Sequence, residues 1–197
     1  MGGLIDIAPG EVGTVVTFLE MRERPKLRPL PPSPLRIMPW TDIRPDQYRV
    51  LFRRVGGRWL WFSRLRMDDA TLMANIAELH VVRDPRGVEV GMLELDFSTA
   101  GECLIRFLGL VPELAGKGHG KWLFGQVMAL TWRAGISRVH VTTCSLDHPA
   151  ALPSYIRAGF VAYRRAFESF PDPRLIGALP VDAAPQIPVL GSSASCV

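Results

Sequence analysis

The stretch Leu108-Gly109-Leu110-Val111-Pro112-Glu113-Leu114-Ala115-Gly116-Lys117-Gly118-His119-Gly120-Lys121 decides the fold. It leaves an apolar, strand-like run, turns through three alternate glycines and enters a segment, Lys121 to Ala134, in which Leu123, Val127, Leu130 and Ala134 share a helical face. Glycines let successive backbone N–H groups converge on one anion, and a helix N-terminus adds about half a positive charge in the same direction. Lys117 and Lys121 add full charges. On its own the segment fits a plain tight turn as well as a phosphate cradle, because short glycine patterns are common. Two other nucleotide-binding loops are excluded. The Gly-Lys-Ser/Thr of a P-loop is missing, and a dinucleotide fingerprint opens a first βαβ unit with an acidic residue about twenty positions on.

What precedes the loop is instead an antiparallel meander. Leu79 to Val82, Val88 to Phe97 and Cys103 to Val111 read as consecutive strands, separated by the turn signals Asp84-Pro85-Arg86-Gly87 and Ser98-Thr99-Ala100-Gly101. Further upstream, Glu11 to Met21 carries a β-branched run suited to a first strand, and Arg24 to Pro39 is a proline-rich connector that excludes a regular helix. Asp46 to Phe52 has helical spacing after the Arg44-Pro45 entry, Arg58 to Leu65 is dense in aromatics, and Asp68 or Asp69 caps a short helix through Ala77.

Downstream, Gly135 stops the helix and Ser137 to Cys144 forms a strand, which makes strand, loop, helix, strand a parallel βαβ unit. A second signal follows: Leu146-Asp147-His148-Pro149-Ala150-Ala151-Leu152-Pro153-Ser154-Tyr155-Ile156-Arg157-Ala158-Gly159-Phe160, a short helix before a final strand from Val161 to Phe170.

The two signals together resemble the GNAT superfamily of N-acetyltransferases. That family's first motif is Val-x-Pro followed by Arg/Gln-x-x-Gly-x-Gly/Ala, and its second ends in Ala-x-x-x-Tyr-x-x-x-Gly-Phe. Val111, Ala115 to Gly120, and Ala151 to Phe160 align with them, so the resemblance spans about fifty residues, from Leu108 to Phe160. Ala115 stands where Arg or Gln is usual, and His148 where many members have Asn.

The resemblance implies an α+β fold with a mixed central sheet of about six to seven strands, antiparallel in its first half, splayed around a parallel βαβ unit in its second, and flanked by helices. It implies acetyl-CoA as acyl donor. The pantetheine arm would lie along Gly109, Leu110 and Val111, and the pyrophosphate on the amides of Gly116, Lys117, Gly118, His119, Gly120 and Lys121. Tyr155 would protonate the leaving thiolate; the alternative is a buried tyrosine packed under the donor. His148 would either touch pantetheine or simply begin its helix. For the general base, Glu94 is favoured over Asp96 and Glu102. Glu94 and Asp96 share one strand face, which could equally be an ordinary solvated face, with water accepting the amine's proton.

The expected activity is direct acetyl transfer to an amine on a small molecule, a peptide N-terminus or a lysine; the alternative is a catalytically inactive acyl-CoA-binding or interaction module. The aromatic segment with Trp59, Trp61 and Phe62 is expected either to help form the acceptor pocket or to pack helices onto the sheet. No residue pattern identifies the acceptor, and a homodimer stays open.

Composition sets the outer bounds. A chain of 197 residues suits one domain, here residues 1–170, with a proline-rich tail, 171–197, expected to be extended or disordered. Three widely spaced cysteines, Cys103, Cys144 and Cys196, suit reduced thiols and a cytoplasmic location, with no metal site. The longest apolar runs fall short of a membrane span. Residues 21–66 hold twelve Lys/Arg against three Asp/Glu, but no nucleic-acid recognition motif accompanies them, which argues against a nucleic-acid partner.

Overall fold

The computed structural model describes residues 2–26 and 29–191. Seven strands form one mixed sheet: β1 (Glu11–Met21), β2 (Arg36–Pro39), β3 (Glu78–Arg83), β4 (Glu89–Asp96), β5 (Glu102–Leu110), β6 (Arg138–Cys144) and β7 (Val161–Pro171). Their spatial order is β2-β3-β4-β5-β6-β1-β7. Four helices flank it: α1 (Pro45–Gly56), α2 (Asp69–Asn75), α3 (His119–Thr131) and α4 (Ala151–Ala158). The expected α+β sheet is present, with the meander β3-β4-β5 antiparallel and β5 and β6 parallel.

The first strand lies between the last two, antiparallel to both β6 and β7. With both edges hydrogen-bonded and Val12, Thr14, Thr17, Leu19 and Met21 buried, β1 uses its β-branched content as an interior strand does. β2 interrupts the segment read as a connector. It pairs with β3 at the opposite border of the sheet, where Pro39 costs no ladder bond. Two residues of the connector, Leu30 and Ser33, meet α3. Leu30 fills the space beside Gly125, where an added Cβ would lie 1.9 Å from its Cδ2, and Ser33 Oγ lies 3.4 Å from His119 Nδ1.

One irregularity positions the functional cleft. Opposite β4, the register of β5 slips: Glu94 faces Phe107 while Leu95 faces Ile105, so Arg106 is an extra residue. Such a bulge bends its strand. The parallel pairing of β5 with β6 then covers only Glu102–Ile105 against Arg138–Val141. Beyond it, the two strands run on to Leu110 and Cys144 without pairing.

The tail corrects the sequence expectation, because residues 172–191 are neither extended nor loose. Leu179 and Ala184 are buried with Val12, Leu60 and Leu146, so the tail packs beneath the aromatic segment that follows α1. Asp172 and Arg174 form a buried ion pair at 2.7 Å, and Arg174 Nη1 donates to the carbonyls of Ala183, Ala184 and Ile187. Hydrogen bonds from Arg174 hold the Asp172 carboxyl below the usual carboxylate range. The pair therefore contributes fully above about pH 4, where an unfolded aspartate is ionised, and its contribution is lost as pH falls through the lowered folded value. Cys196 and the end of the tail lie outside the described residues.

Arg174→Ala is expected to leave the Asp172 charge unpaired, at a cost of about 3–5 kcal/mol. Hydrogen exchange at the Leu175, Ala178 and Leu179 amides, which bond to Asp172 and Pro173 carbonyls, should accelerate in the variant at pH 7. In the parent it should accelerate, relative to intrinsic exchange, only in acid.

Candidate active site

β5 ends in a short 3₁₀ turn, Pro112–Leu114, and the chain then crosses Gly116 and Gly118 at positive φ (72° and 83°) before α3 begins at His119. Gly118 is the N-cap and carries no side chain to satisfy the first-turn amides, which leaves them aimed outward. At Gly116, Gly118 and Gly120 an added Cβ would meet nothing within 4 Å. The loop therefore borders open space, and the partial positive charge of α3 points into it.

That space continues as a cleft of about 270 Å³ running between the parted strands. Gly109, Leu110 and Val111 line it from β5, and Gly116, Gly118, His119 and Gly120 from the loop. His148 and Tyr155 line it from the α4 side. Lys117 and Lys121 are exposed at the rim and do not line it. Of the residues that the sequence singles out for donor binding and catalysis, Lys117 and Lys121 stand next to lining residues, and the carboxylates Glu94, Asp96 and Glu102 do not line the cleft.

Tyr155 is 6% exposed and sits edge-on to Phe124 and Phe160, with ring centroids 5.2 and 5.5 Å away. Burial pushes its phenol up, and the charge of Asp147 adds to the effect, so the hydroxyl keeps its proton at neutral pH. His148 accepts from the Ala150 amide through Nδ1 at 3.0 Å, at the start of α4, while its ring meets Trp59 edge-on at 5.1 Å. It lies just ahead of its helix, whose N-cap is Ala150, and lines the cleft as well.

Glu94 is fully buried. It accepts from Tyr48 Oη at 3.0 Å, from Arg64 Nη2 at 2.7 Å and from the Ala77 amide at 3.3 Å. Burial and the charge of Glu94 push the Tyr48 phenol up, which keeps it a donor. Glu94 thus does not lie on a solvated strand face, and its carboxylate does not line the cleft. Asp96 is held by Arg106, and Glu102 by Arg138. Arg64 lies over the ring of Phe107, 5.4 Å from its centroid, and Phe107 lines the cleft. Glu94 therefore supports the cleft floor through Arg64 and Phe107.

Asp147 is the one carboxylate among the described residues lining the cleft. Its Oδ2 accepts from Thr143 Oγ1 at 2.7 Å and from the Cys144 amide at 2.9 Å, and its Oδ1 from Trp61 Nε1 at 3.0 Å. Trp61 lies flat on Gly56, where a Cβ would come within 2.3 Å of the indole, and packs on Phe52 and Phe107. It lines the cleft and packs α1 onto the sheet at the same time. The sequence signal for Asp147 is its place at the end of a strand, just before His148, inside the second motif. Burial pushes the Cys144 thiol up, which leaves it a poor nucleophile. No group of three or more His, Cys, Asp or Glu among the described residues could hold a metal ion, and no helix among them is long and apolar enough to cross a membrane.

Solved structures share this architecture. A GCN5-related N-acetyltransferase from Sphaerobacter thermophilus superposes with a TM-score of 0.56 at 17% identity, covering 83% of this chain and 52% of that one. A tandem GNAT protein from the clavulanic acid biosynthesis pathway gives 0.57 at 17%, covering 84% and 54%. The chain has the GNAT fold. A putative GNAT-family acetyltransferase from Novosphingobium aromaticivorans gives 0.51 at 15%, covering 85% and 69%. The GNAT-fold chain spans about half the length of the first two. No protein-family model matches its sequence, and neither does any curated protein.

Glu94→Gln should leave Arg64 buried against a neutral partner and destabilise the protein by about 3–5 kcal/mol, seen as a fall in Tm of roughly 10 °C. A Glu94→Gln protein of unchanged Tm would contradict the supporting role.

Proposed function

We propose that the cleft binds acetyl-CoA and that the protein transfers the acetyl group to an amine. The observation that carries this reading is the coincidence of two features on one opening: an uncapped, glycine-lined helix N-terminus at one end, and a protonated, buried tyrosine facing the middle. In this reading the amides of the Gly116–Lys121 loop bind the pyrophosphate, with Lys117 and Lys121 supplying charge from the rim. The unpaired backbone of β5 around Gly109, Leu110 and Val111 aligns the pantetheine arm. A β5 amide near Leu110 donates to the thioester carbonyl, where negative charge develops as the neutral amine attacks.

Collapse of that adduct breaks the C–S bond, and Tyr155 gives its proton to the departing thiolate. The amine must lose a proton for attack. Asp147, with one oxygen engaged only by Trp61, is the carboxylate nearest to that task, and water relays the proton to bulk. Trp59, Trp61 and Phe107 wall the end where the acceptor enters. Cys103 and Cys144, unpaired among the described residues, suit a cytoplasmic protein. Neighbours described as N-acetyltransferases support the same reading at the level of fold.

A second reading, an acyl-CoA-binding module without turnover, is favoured by one observation: Asp147 already accepts three hydrogen bonds, and Glu94 is sealed off. Calorimetry and turnover separate the two. Acetyl-CoA should bind the parent and bind a folded Gly120→Asp variant about 10–100-fold more weakly. With an amine panel and a thiol-release readout, Tyr155→Phe should lower kcat about 100-fold with little change in the KM for acetyl-CoA. Binding without release for any amine would favour the binding module, and a folded parent that does not bind acetyl-CoA would sink both readings.

A further inference from the structure

β7 is the outermost strand at its side of the sheet, and its free edge receives no backbone hydrogen bond from any described residue. Its burial pattern is exposed almost throughout, including Val161 at 66%, Tyr163 at 48% and Phe167 at 47%. Beside it, Val15 and Ile7 are also exposed, and Ile7 and Phe167 close over Gly13 to form an apolar ridge. Long free edges are usually blunted by charged side chains, lysine above all, by proline, by a bulge or by a cover. β7 has no lysine, and its proline comes last, at Pro171. A bulge at Tyr163 interrupts it, since Phe18 faces Arg164 and Leu19 faces Ala162, but Arg164 to Pro171 pairs regularly with β1.

Charge makes this edge complementary to itself. Arg164, Arg165 and Glu168 have no ion-pair partner among the described residues. In a two-fold antiparallel pairing with the axis normal to the sheet, each residue stays on its own face, so one residue must lie opposite its own copy. Centring on Arg164 or Arg165 sets an arginine against itself. Centring on Phe167 faces Arg164 with Phe170, and Glu168 with Ala166, and makes no charge pair. Centring on Ala166 puts the smallest side chain on the axis. It places Arg164 opposite Glu168 twice on one face, and Arg165 opposite Phe167 twice on the other, a cation over a ring. We propose that the protein is a homodimer in which β7 pairs antiparallel with β7 of a second copy about an axis at Ala166, continuing the sheet through both copies and covering the Phe167 ridge.

The register can be tested by charge reversal, followed by sedimentation equilibrium with CD as a check on folding. The parent should have about twice the 21.8 kDa chain mass. Arg164→Glu and Glu168→Arg, each alone, set like charges opposite one another twice and should weaken association by at least about tenfold. The double reversal should restore it. Ala166→Cys should form a covalent dimer on oxidation under conditions in which the parent, with its native cysteines, does not. A monomeric parent, single reversals that leave the dimer unchanged, a double reversal that fails to restore it, or absence of the Ala166→Cys cross-link would each overturn the proposal.

Discussion

The parting of β5 from β6 is the constraint on which the rest of the molecule depends. Two parallel strands that pair from Glu102 to Ile105 would ordinarily keep pairing, because unpaired backbone groups in an interior are costly. The extra residue at Arg106 turns β5 away, and the loss of ladder bonds opens a slot lined by unpaired backbone inside an otherwise continuous sheet. A slot of this kind persists only if its walls are held independently. Arg106 is itself fixed by Asp96 and by the Asn75 carbonyl, so the bulge is tied both to the neighbouring strand and to the end of α2.

The walls are held by buried charge on one side and by aromatic packing on the other. Tyr48, Glu94 and Arg64 satisfy one another beneath Phe107, which fixes the floor of the slot with a network that water cannot reach. Across from it, Asp147 gathers Thr143, the Cys144 amide and Trp61, joining the end of β6 to the segment after α1. Two carboxylates thus have contrasted environments: Glu94 is enclosed and structural, whereas Asp147 reaches the cleft with one oxygen only lightly engaged. The docked tail extends the same logic outward. Leu179 packs under the segment that carries Trp61, and the buried Asp172–Arg174 pair stops the tail from peeling away.

Local features of the chain that repeat with a clear period are legible in the amino-acid sequence. The meander, the parallel βαβ unit, the helix after the glycines and the motif ending in Gly159-Phe160 follow from alternation, helical spacing and turn chemistry, all of which act over a few residues. The residues of the proposed donor site come with them, because they lie on that contiguous stretch from Gly109 to Tyr155. β2 is hidden among prolines, which suit a border strand but resemble a linker. The ordered tail is hidden because Leu179 finds its partners far away in sequence, while its local composition is that of a disordered segment.

Glu94 marks the sharpest division between the two kinds of information. Its position on a strand face is readable, but a carboxylate on a strand becomes a solvated group, a base or a buried anchor according to what packs over it, and Tyr48 and Arg64 arrive from 46 and 30 residues away. Asp147 is held at the cleft by the same kind of distant partner, Trp61. The placement of β1 between β6 and β7 is likewise a matter of how the sheet assembles, since a β-branched run suits any interior strand. Short-range sterics and periodicity were enough to specify every strand but β2, the four helices and the glycine loop, because each depends on residues a few positions apart. Which carboxylate faces the cleft, where the first strand inserts and whether the tail docks were settled only by the folded chain, because desolvation and pairing act between residues that meet nowhere else.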